Sequence, residues 1–350
     1  MLKSLKIENF RCFPSFEMQQ LGRLNLIVGT NNSGKTSILE ALQLLLCLPT
    51  NPATLGEIVI GRSEYTNQED IIRLDIRHLF YNHKIDDGSP MSISGKDEID
   101  KSKKVLILSQ STAISFIYSD EAENRAELID FGLQIPSDGI IILDSQTKKS
   151  WEQIYINSTS KAQFIDLFSL SSEKMVELFE RVVLTPEEEL VIESLRIIEP
   201  LIKRIATFSS GKYRYEGAHS GIIVQLADER QRMPIGSMGD GMWRMLGIAL
   251  AIVNAKDGVL LVDEIDTGLH FTVMSDMWKM IWETAKRLNV QVFATTHSND
   301  CWTSLADIAN AENPSEDGIT IHRIEKGKPH SIVFTERQIA IAAERNIEVR

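Results

Sequence analysis

The stretch that decides the fold is GTNNSGKT, residues 29–36. It has the spacing G-x-x-x-x-G-K-[ST] and lies between an apolar run, 24–28, that predicts a strand and a helical pattern over 36–48. In this context backbone N–H groups and a helix N-terminus can surround a phosphate, and the glycines leave room for it. A glycine-rich turn that merely begins a helix is the alternative. The agreement of spacing and context favours a phosphate loop, the name used below for residues 29–36.

The residues of the phosphate loop have expected roles at a bound ATP. Lys35 is expected to neutralise the β- and γ-phosphates, and its side chain is expected to be accessible to solvent without ligand. Thr36 is expected to bind Mg²⁺ through its hydroxyl oxygen. The residues predicted to contact the nucleotide here are Gly29, Thr30, Asn31, Asn32, Ser33, Gly34, Lys35, Thr36 and Ser37.

A second apolar run, 259–262, ends in the acids Asp263 and Glu264. Carboxylates that end a strand emerge at the carboxyl edge of a sheet, where α/β proteins bind ligands. We expect Asp263 to bind Mg²⁺, usually through water, and Glu264 to orient or deprotonate the attacking water. Such a pair taken alone is often only a solvated strand end. Together with the phosphate loop it predicts a Walker B motif.

A histidine follows the next apolar strand, in Thr296-His297-Ser298. From this place an imidazole can hydrogen-bond the γ-phosphate and sense its loss. As an isolated residue it would be assigned a structural role. One strand beyond the acids, His297 is predicted to be catalytic.

A further glycine-rich stretch, GSMGDGM at 236–242, precedes a long apolar helical pattern over 242–254. We call it the signature turn. Ser237, Gly239 and Gly241 alternate at the predicted helix N-terminus and would form a second anion site. One phosphate-loop protein does not need two phosphate cradles, so we expect these residues of one head to bind the γ-phosphate held by another head. A flexible turn with a helix cap is the alternative.

The order of strands and helices predicts an α/β fold with a mostly parallel sheet covered by helices. We predict the N-terminal half of an ATPase head at 1–50 and the C-terminal half at 221–350. Between them, 51–220 form an inserted α+β lobe with a short helical arm. Helical patterns in the lobe cover 173–183 and 186–207.

Composition limits the functional classes. A net charge of -12 argues against a surface that binds nucleic acid everywhere, although two basic clusters, Lys101–Lys104 and Lys203–Arg214, leave local contact open. Such clusters are more often solvated faces. Every apolar run is far shorter than the ~20 residues that span a bilayer, and the N-terminus lacks the apolar core of a secretory signal. We therefore expect a cytoplasmic protein without membrane contact.

Several stretches together carry a family resemblance: LKIENFRCF at 5–13, the phosphate loop, the signature turn, DEIDTGLH at 263–270 and THS at 296–298. They resemble the OLD-like and RecF-like branch of the ABC-type ATPases, which is related to the SMC proteins. The resemblance covers roughly 1–50 and 220–325, and says almost nothing about the residues between. It implies a P-loop ABC-type head that uses ATP and Mg²⁺ and forms a homodimer or higher oligomer through ATP-bound heads.

Two departures from the family narrow this expectation. The sequence shows no sustained heptads like those of SMC arms, and no Toprim nuclease domain follows the head before Arg350. We therefore expect an ATPase whose closed dimer controls a separate effector, a nuclease or Toprim protein, in antiphage defence or DNA maintenance. A RecF-like ATP-dependent DNA-binding module is the second hypothesis, and a transporter ATPase subunit is the third. The Q-loop glutamine stays open between Gln68 and Gln110.

Overall fold

A computed structural model describes most of the chain. The described residues are 1–68, 71–85, 90–109, 113–129, 135–144, 162–166, 170–208, 221–227, 232–311 and 318–350. In the described part, no helix has both the length and the apolar composition needed to cross a membrane.

Strands and helices alternate along both ends of the chain, whereas strands dominate residues 65–165. The strands are β1 (Leu2–Phe10), β2 (Phe13–Gln19), β3 (Leu24–Gly29), β4 (Tyr65–Gln68), β5 (Ile71–Asp75), β6 (Met91–Asp97), β7 (Ser102–Ser109), β8 (Ala113–Asp120), β9 (Arg125–Leu128), β10 (Ile135–Pro136), β11 (Ile140–Leu143), β12 (Ala162–Ile165), β13 (Ile202–Thr207), β14 (Ile222–Leu226), β15 (Arg232–Pro234), β16 (Val259–Val262), β17 (Gln291–Thr295), β18 (Ile319–Ile324) and β19 (Ile332–Thr335). The α-helices are α1 (Lys35–Leu46), α2 (Thr54–Gly61), α3 (Ser172–Val182), α4 (Glu187–Arg196), α5 (Asp240–Asn254), α6 (Met274–Leu288), α7 (Asn299–Ala311) and α8 (Glu336–Glu344).

The chain folds into two compact units. The first unit contains Met1–Gly22, Gly29–Ala162 and His322–Val333. The second unit contains Arg23–Val28, Gln163–Ile321 and Phe334–Arg350. These units are defined by contacts, whereas the boundaries at 50 and 220 divide the head by its motifs, so the three-part division stays a prediction.

The first unit is built on an antiparallel sheet with the order β10-β8-β7-β6-β1-β2, in which β9 pairs with β8. Leu5 and Ile7 on β1 are fully buried, in keeping with the alternation of the N-terminal sequence. Strand β1 also pairs with β6, which belongs to the predicted inserted lobe. This long-range contact cannot be predicted from the periodicity of the sequence. Helix α1 packs against β6 and β7, and β11-β5-β4 form a smaller sheet.

The second unit is built on a sheet with the order β12-β16-β17-β3-β18-β19, and every strand of this sheet has residues in the second unit. Strands β16, β17 and β3 pair in parallel, and β3 and β17 are buried along their whole length. Buried parallel strands explain the continuous apolar runs of the sequence. Helix α5 is buried from Met242 to Val253 and lies in the hydrophobic core with α6. The parallel pairing and the helices packed on it confirm the predicted α/β class.

One helix prediction is wrong in its second half. The pattern over 186–207 predicts one helix, but α4 ends at Arg196 and the chain continues as β13. Pro200 has no N–H group to donate within a helix, and Arg196 Nε donates to the Ile202 carbonyl oxygen at 2.8 Å across the turn. Strand β13 then pairs antiparallel with β14. The pattern over 173–183 is confirmed as α3.

A buried ion-pair network lies beside α1 in the first unit. Glu40 on α1 accepts from Arg11 Nε at 2.9 Å and from Arg62 Nε at 2.6 Å, and Arg11 also pairs with Glu64. The side chains of Arg11 and Glu40 are 8% and 6% exposed. Because these charges are almost removed from water, each depends on its partner. The network therefore ties the turn after β1 to the helix that follows the phosphate loop.

Replacing Glu40 tests this dependence. Glu40→Ala leaves the buried Arg11 with one carboxylate partner fewer, and should lower the free energy of unfolding by about 3–5 kcal/mol. Glu189→Ala is the control, because its pair with Arg196 is exposed and should contribute at most about 1 kcal/mol. Urea unfolding of both variants measures the difference, and equal losses would contradict a structural role for the network.

Candidate functional site

The phosphate loop begins at the last residue of β3 and ends in α1, as predicted. Gly29 has φ +149°, and a Cβ there would lie 2.4 Å from the Ile324 carbonyl oxygen. Gly34 has φ +102°, and a Cβ there would lie 2.4 Å from Phe13 Cζ. Neither place has room for a side chain. The two glycines of the pattern are thus required by packing as well as by their backbone angles.

Lys35 is buried, so the prediction of an accessible side chain is wrong. Its Nζ donates to the carbonyl oxygens of Gly29 at 3.1 Å and Thr30 at 3.2 Å, which leaves the residue 5% exposed. Ser33 Oγ is also buried and has no hydrogen-bond partner among the described residues. The loop therefore concentrates an ammonium and an unsatisfied hydroxyl near glycine backbone. The remaining loop residues are exposed at Thr30, Asn31 and Asn32, half-buried at Thr36 and buried at Ser37.

The acid pair follows β16 in the second unit. Asp263 is 7% exposed; its N–H donates to the Ile165 carbonyl oxygen at 2.8 Å, and its Oδ1 accepts from Thr295 Oγ1 at 2.5 Å. Glu264 has φ +46°, in the left-handed region that costs about 1–2 kcal/mol for a residue with a side chain. Its N–H donates to the same Thr295 oxygen at 2.8 Å. One buried hydroxyl thus holds both acids.

His297 lies beside Glu264 in the second unit, with Nε2 3.1 Å from Glu264 Oε1. The backbone carbonyl of His297 accepts from Arg350 Nη1 at 2.7 Å. One residue earlier, Thr296 Oγ1 donates to Asp266 Oδ1 at 2.5 Å. Side-chain hydrogen bonds and ion pairs therefore connect the residues after β16 with those after β17. The two predicted catalytic residues, Glu264 and His297, lie together.

The signature turn lies at the start of α5, and its role in binding an anion stays a prediction. Ser237 lies in a short 3₁₀ helix, Ile235–Met238, and α5 starts with Gly239 as its N-cap, without a side-chain hydrogen bond to the cap. Ser237 and Gly239 are exposed, whereas a Cβ on Gly241 would lie 2.8 Å from the Gly268 carbonyl oxygen. The turn therefore packs closely on the DTGLH stretch that follows the acids.

Two residues of this region escaped the sequence reasoning. Thr295 ends an apolar strand and gives no signal beyond its hydroxyl. Arg244 gives a signal that could have been used, because it is a charged residue within an otherwise apolar helix. The residue is 2% exposed, and burial lowers the pKa of its guanidinium, against the opposing effect of carboxylates led by Asp166 and Asp263.

The other candidates are dispersed. Gln68 is exposed on β4, and Gln110 lies outside the described residues. In the first basic cluster, Lys103 pairs with the buried Asp120. In the second, Lys203 and Arg204 are exposed on β13, and 209–214 lie outside the described residues.

A glycine-rich loop ending one parallel strand, and an acid pair ending another strand of the same sheet, define the class of P-loop ATPases. The chain matches the AAA ATPase domain family over residues 1–181 and 186–301, and it belongs to that family. It is an ATP-binding enzyme, an ABC-type ATPase of the RecF-like and OLD-like branch.

Individual relatives agree with this assignment. An ATP/GTP phosphatase of Helicobacter pylori is 24% identical over 86% of this chain and 86% of its own length. The DNA replication and repair protein RecF of Francisella tularensis is 22% identical over 84% of this chain and 94% of its own length. An OLD nuclease of Thermus scotoductus is 50% identical over 46 residues, which are 13% of this chain and 8% of that protein.

The structural likeness concerns the fold. A crystal structure of the Smc head bound to the C-winged helix domain of ScpA matches with a TM-score of 0.52 at 14% identity, covering 95% of this chain and 97% of that chain. An Smc head domain with an extended coiled coil, bound to the C-terminal domain of ScpA derived from Pyrococcus furiosus, matches with a TM-score of 0.50 at 14% identity, covering 99% of each chain.

A substitution at Gly34 tests the tight cradle of the phosphate loop. Gly34→Ala adds a methyl group against Phe13 and should reduce both stability and ATP affinity. Gly327→Ala is the control, because Gly327 also has positive φ, +75°, but nothing within 4 Å of its would-be Cβ. It should lose about 1–2 kcal/mol from backbone strain alone and keep its ATP affinity. Urea unfolding and calorimetry report the two effects, and normal ATP affinity in Gly34→Ala would contradict the assignment.

Proposed function

We propose that this ATPase is a molecular switch in which two heads close on ATP at a shared interface. The observation that carries the proposal is a pair of similar helix N-termini. Helices α1 and α5 each start after a glycine with positive φ, Gly34 or Gly239, and a glycine at the N-cap has no side chain with which to cap the first turn. Such termini attract anions. One chain thus carries two phosphate cradles, and a dimer gives each γ-phosphate one cradle from each head.

The phosphate loop would hold the nucleotide of its own chain. Lys35 would exchange its carbonyl acceptors for the β- and γ-phosphate oxygens, and the Ser33 hydroxyl would gain an acceptor. Thr36 in the first unit and Asp263 in the second each carry side-chain oxygen of the kind that Mg²⁺ prefers, so each keeps its predicted role as a ligand of this ion. Bound Mg²⁺ would neutralise developing charge on the phosphates. Ser237, Gly239 and Gly241 of the partner head would complete the γ-phosphate contacts.

Glu264 would orient the attacking water and accept its proton. The hydrogen bond of its N–H to Thr295 fixes the start of the side chain, and His297 Nε2 contacts one carboxylate oxygen. His297 would hydrogen-bond the γ-phosphate and sense its loss, and its contact with Glu264 would relay that change to the carboxylate. Because the signature contacts exist only in the closed dimer, ATP favours closure more strongly than ADP does, and hydrolysis releases the heads.

The output of the switch is proposed from the relatives. We favour control of a separate effector, a nuclease or Toprim protein, in antiphage defence or DNA maintenance. The OLD nuclease supports this branch through its similarity over 46 residues. A RecF-like module that binds DNA under ATP control is the second candidate, because the similarity to RecF extends over 94% of that protein.

A mixing experiment tests the shared interface. Lys35→Ala should abolish nucleotide binding, whereas Ser237→Arg should bind ATP through its intact phosphate loop but fail to close. Mixed together, the two inactive chains can assemble one complete site, and random pairing would restore up to about a quarter of the wild-type ATPase rate. Steady-state phosphate release measures the recovery.

The control mixture is Lys35→Ala with Glu264→Gln. Glu264→Gln alone should bind ATP, hydrolyse it at least about a hundredfold more slowly and accumulate as the closed dimer. Its mixture with Lys35→Ala should stay inactive, because no chain in it has both an intact phosphate loop and an intact Glu264. Full turnover by Ser237→Arg alone, or equal recovery of ATPase activity in both mixtures, would contradict the proposed shared interface.

A DNA assay distinguishes the two proposed outputs. For an effector-controlling switch, the purified chain should hydrolyse ATP, bind duplex DNA no better with ATP than without it, and leave plasmid DNA uncut in Mg²⁺ or Mn²⁺. For a RecF-like module, tight DNA binding should appear only with ATP and weaken steeply as salt rises. Nicking by the pure protein, lost when acids outside the ATP site are changed, would overturn both.

A further inference from the structure

Arg244 connects the first turns of α5 to the acid pair in the second unit. Its Nη2 donates to the carbonyl oxygens of Asp263 at 2.6 Å and Glu264 at 2.9 Å. Its Nη1 donates to the carbonyl oxygen of Asp166 at 2.8 Å. The guanidinium thus binds the backbone of the two acids themselves and of Asp166, which follows the neighbouring strand β12. Its planar fork is suited to several acceptors at once.

The Glu264 backbone needs such support. Its left-handed φ of +46° is unfavourable for a residue with a side chain, and such conformations persist where the surroundings over-determine them. The N–H of Glu264 is held by Thr295 Oγ1 and its carbonyl by Arg244. Since both peptide groups around the Cα are held, the direction of the Cα–Cβ bond is fixed, and the contact of one carboxylate oxygen with His297 Nε2 at 3.1 Å restrains the rest of the side chain.

A second contact joins the same two elements. A Cβ on Gly241 would lie 2.8 Å from the Gly268 carbonyl oxygen, so the first turn of α5 packs backbone to backbone on the DTGLH stretch. Arg244, one turn along the helix, reaches the residues just before that stretch. A displacement of the signature turn would therefore be transmitted to the acids through a rigid contact and a buried guanidinium.

We propose that Arg244 is a positioning residue that couples the signature turn to the carboxylate of Glu264. The inference rests on the proposed role of Glu264 and deepens it. It assigns the link through which engagement of the signature turn by a γ-phosphate would set the geometry for hydrolysis. Arg244 itself touches backbone carbonyls and acts through Glu264.

Steady-state kinetics of Arg244→Met and Arg244→Lys test the coupling, after urea unfolding has established that each variant is folded. Both should keep KM for ATP within about threefold, and kcat should fall by about 10- to 100-fold in Arg244→Met because Glu264 loses its alignment. Arg244→Lys should lose less, because an ammonium can still donate to a carbonyl oxygen. Its recovery should be partial, because an ammonium reaches fewer of the three carbonyls than the guanidinium does. Arg196→Met is the matched control. It removes an arginine that also donates to a backbone carbonyl, that of Ile202, and kcat should not change.

A double variant separates positioning from a general effect on packing. Because Arg244 acts through Glu264, Arg244→Met combined with Glu264→Gln should turn over within about twofold of Glu264→Gln alone. A further loss of about tenfold in the double variant, or wild-type kcat in folded Arg244→Lys and Arg244→Met, would overturn the coupling. If Arg244→Met does not fold, Arg244→Lys carries the same cycle. Wild-type turnover of Glu264→Gln alone would instead refute the proposed role of Glu264, so the two failures are distinguishable.

Discussion

The parallel pairing of β16, β17 and β3 determines which residues meet at the carboxyl edge of the sheet in the second unit. Val262 pairs with Ala294, and Thr295 pairs with Ile27. Asp263, one residue beyond Val262, is therefore level with Thr295 and receives its hydrogen bond. A shift of one residue in the pairing of β16 with β17 would bring side chains of opposite faces level with each other and separate the acids from this hydroxyl.

Two buried cations, one in each unit, donate hydrogen bonds to backbone carbonyl oxygens. They are Lys35 in the first unit and Arg244 in the second. Backbone acceptors satisfy a buried cation without consuming the carboxylates that chemistry needs. Carbonyl oxygens also bind an ammonium less strongly than carboxylates do, which suits the proposed exchange of the Lys35 acceptors for phosphate oxygens. Glu40 differs, because its buried carboxylate pairs with two arginine side chains instead of with backbone groups. Its role is therefore to stabilise the fold.

Where the sequence-based predictions are wrong, contacts between distant parts of the chain are the main cause. The pattern over 186–207 has apolar residues at helical spacing, yet Pro200 and the pairing of β13 with β14 override it, since strand pairing depends on a partner far along the chain. The pairing of β1 with β6 is equally invisible to periodicity. The pattern at the phosphate loop predicts that Lys35 contacts phosphate, but it does not predict how exposed the side chain is without a ligand. The burial of Lys35 depends on the positions of the Gly29 and Thr30 carbonyl oxygens, which only the structure gives.

The sequence by itself determined the phosphate loop, the acid pair, the α/β class and the family, because glycine spacing, strand-ending acids and apolar periodicity are constraints of local chemistry. Only the tertiary structure decided that Thr295 holds both acids, that Glu264 takes a left-handed backbone, and that Arg244 joins α5 to them. These contacts unite residues that lie some twenty to thirty positions apart, as the Arg244 and Thr295 bonds show. Their geometry follows from strand register and helix packing, which many sequences with the same motifs could realise differently.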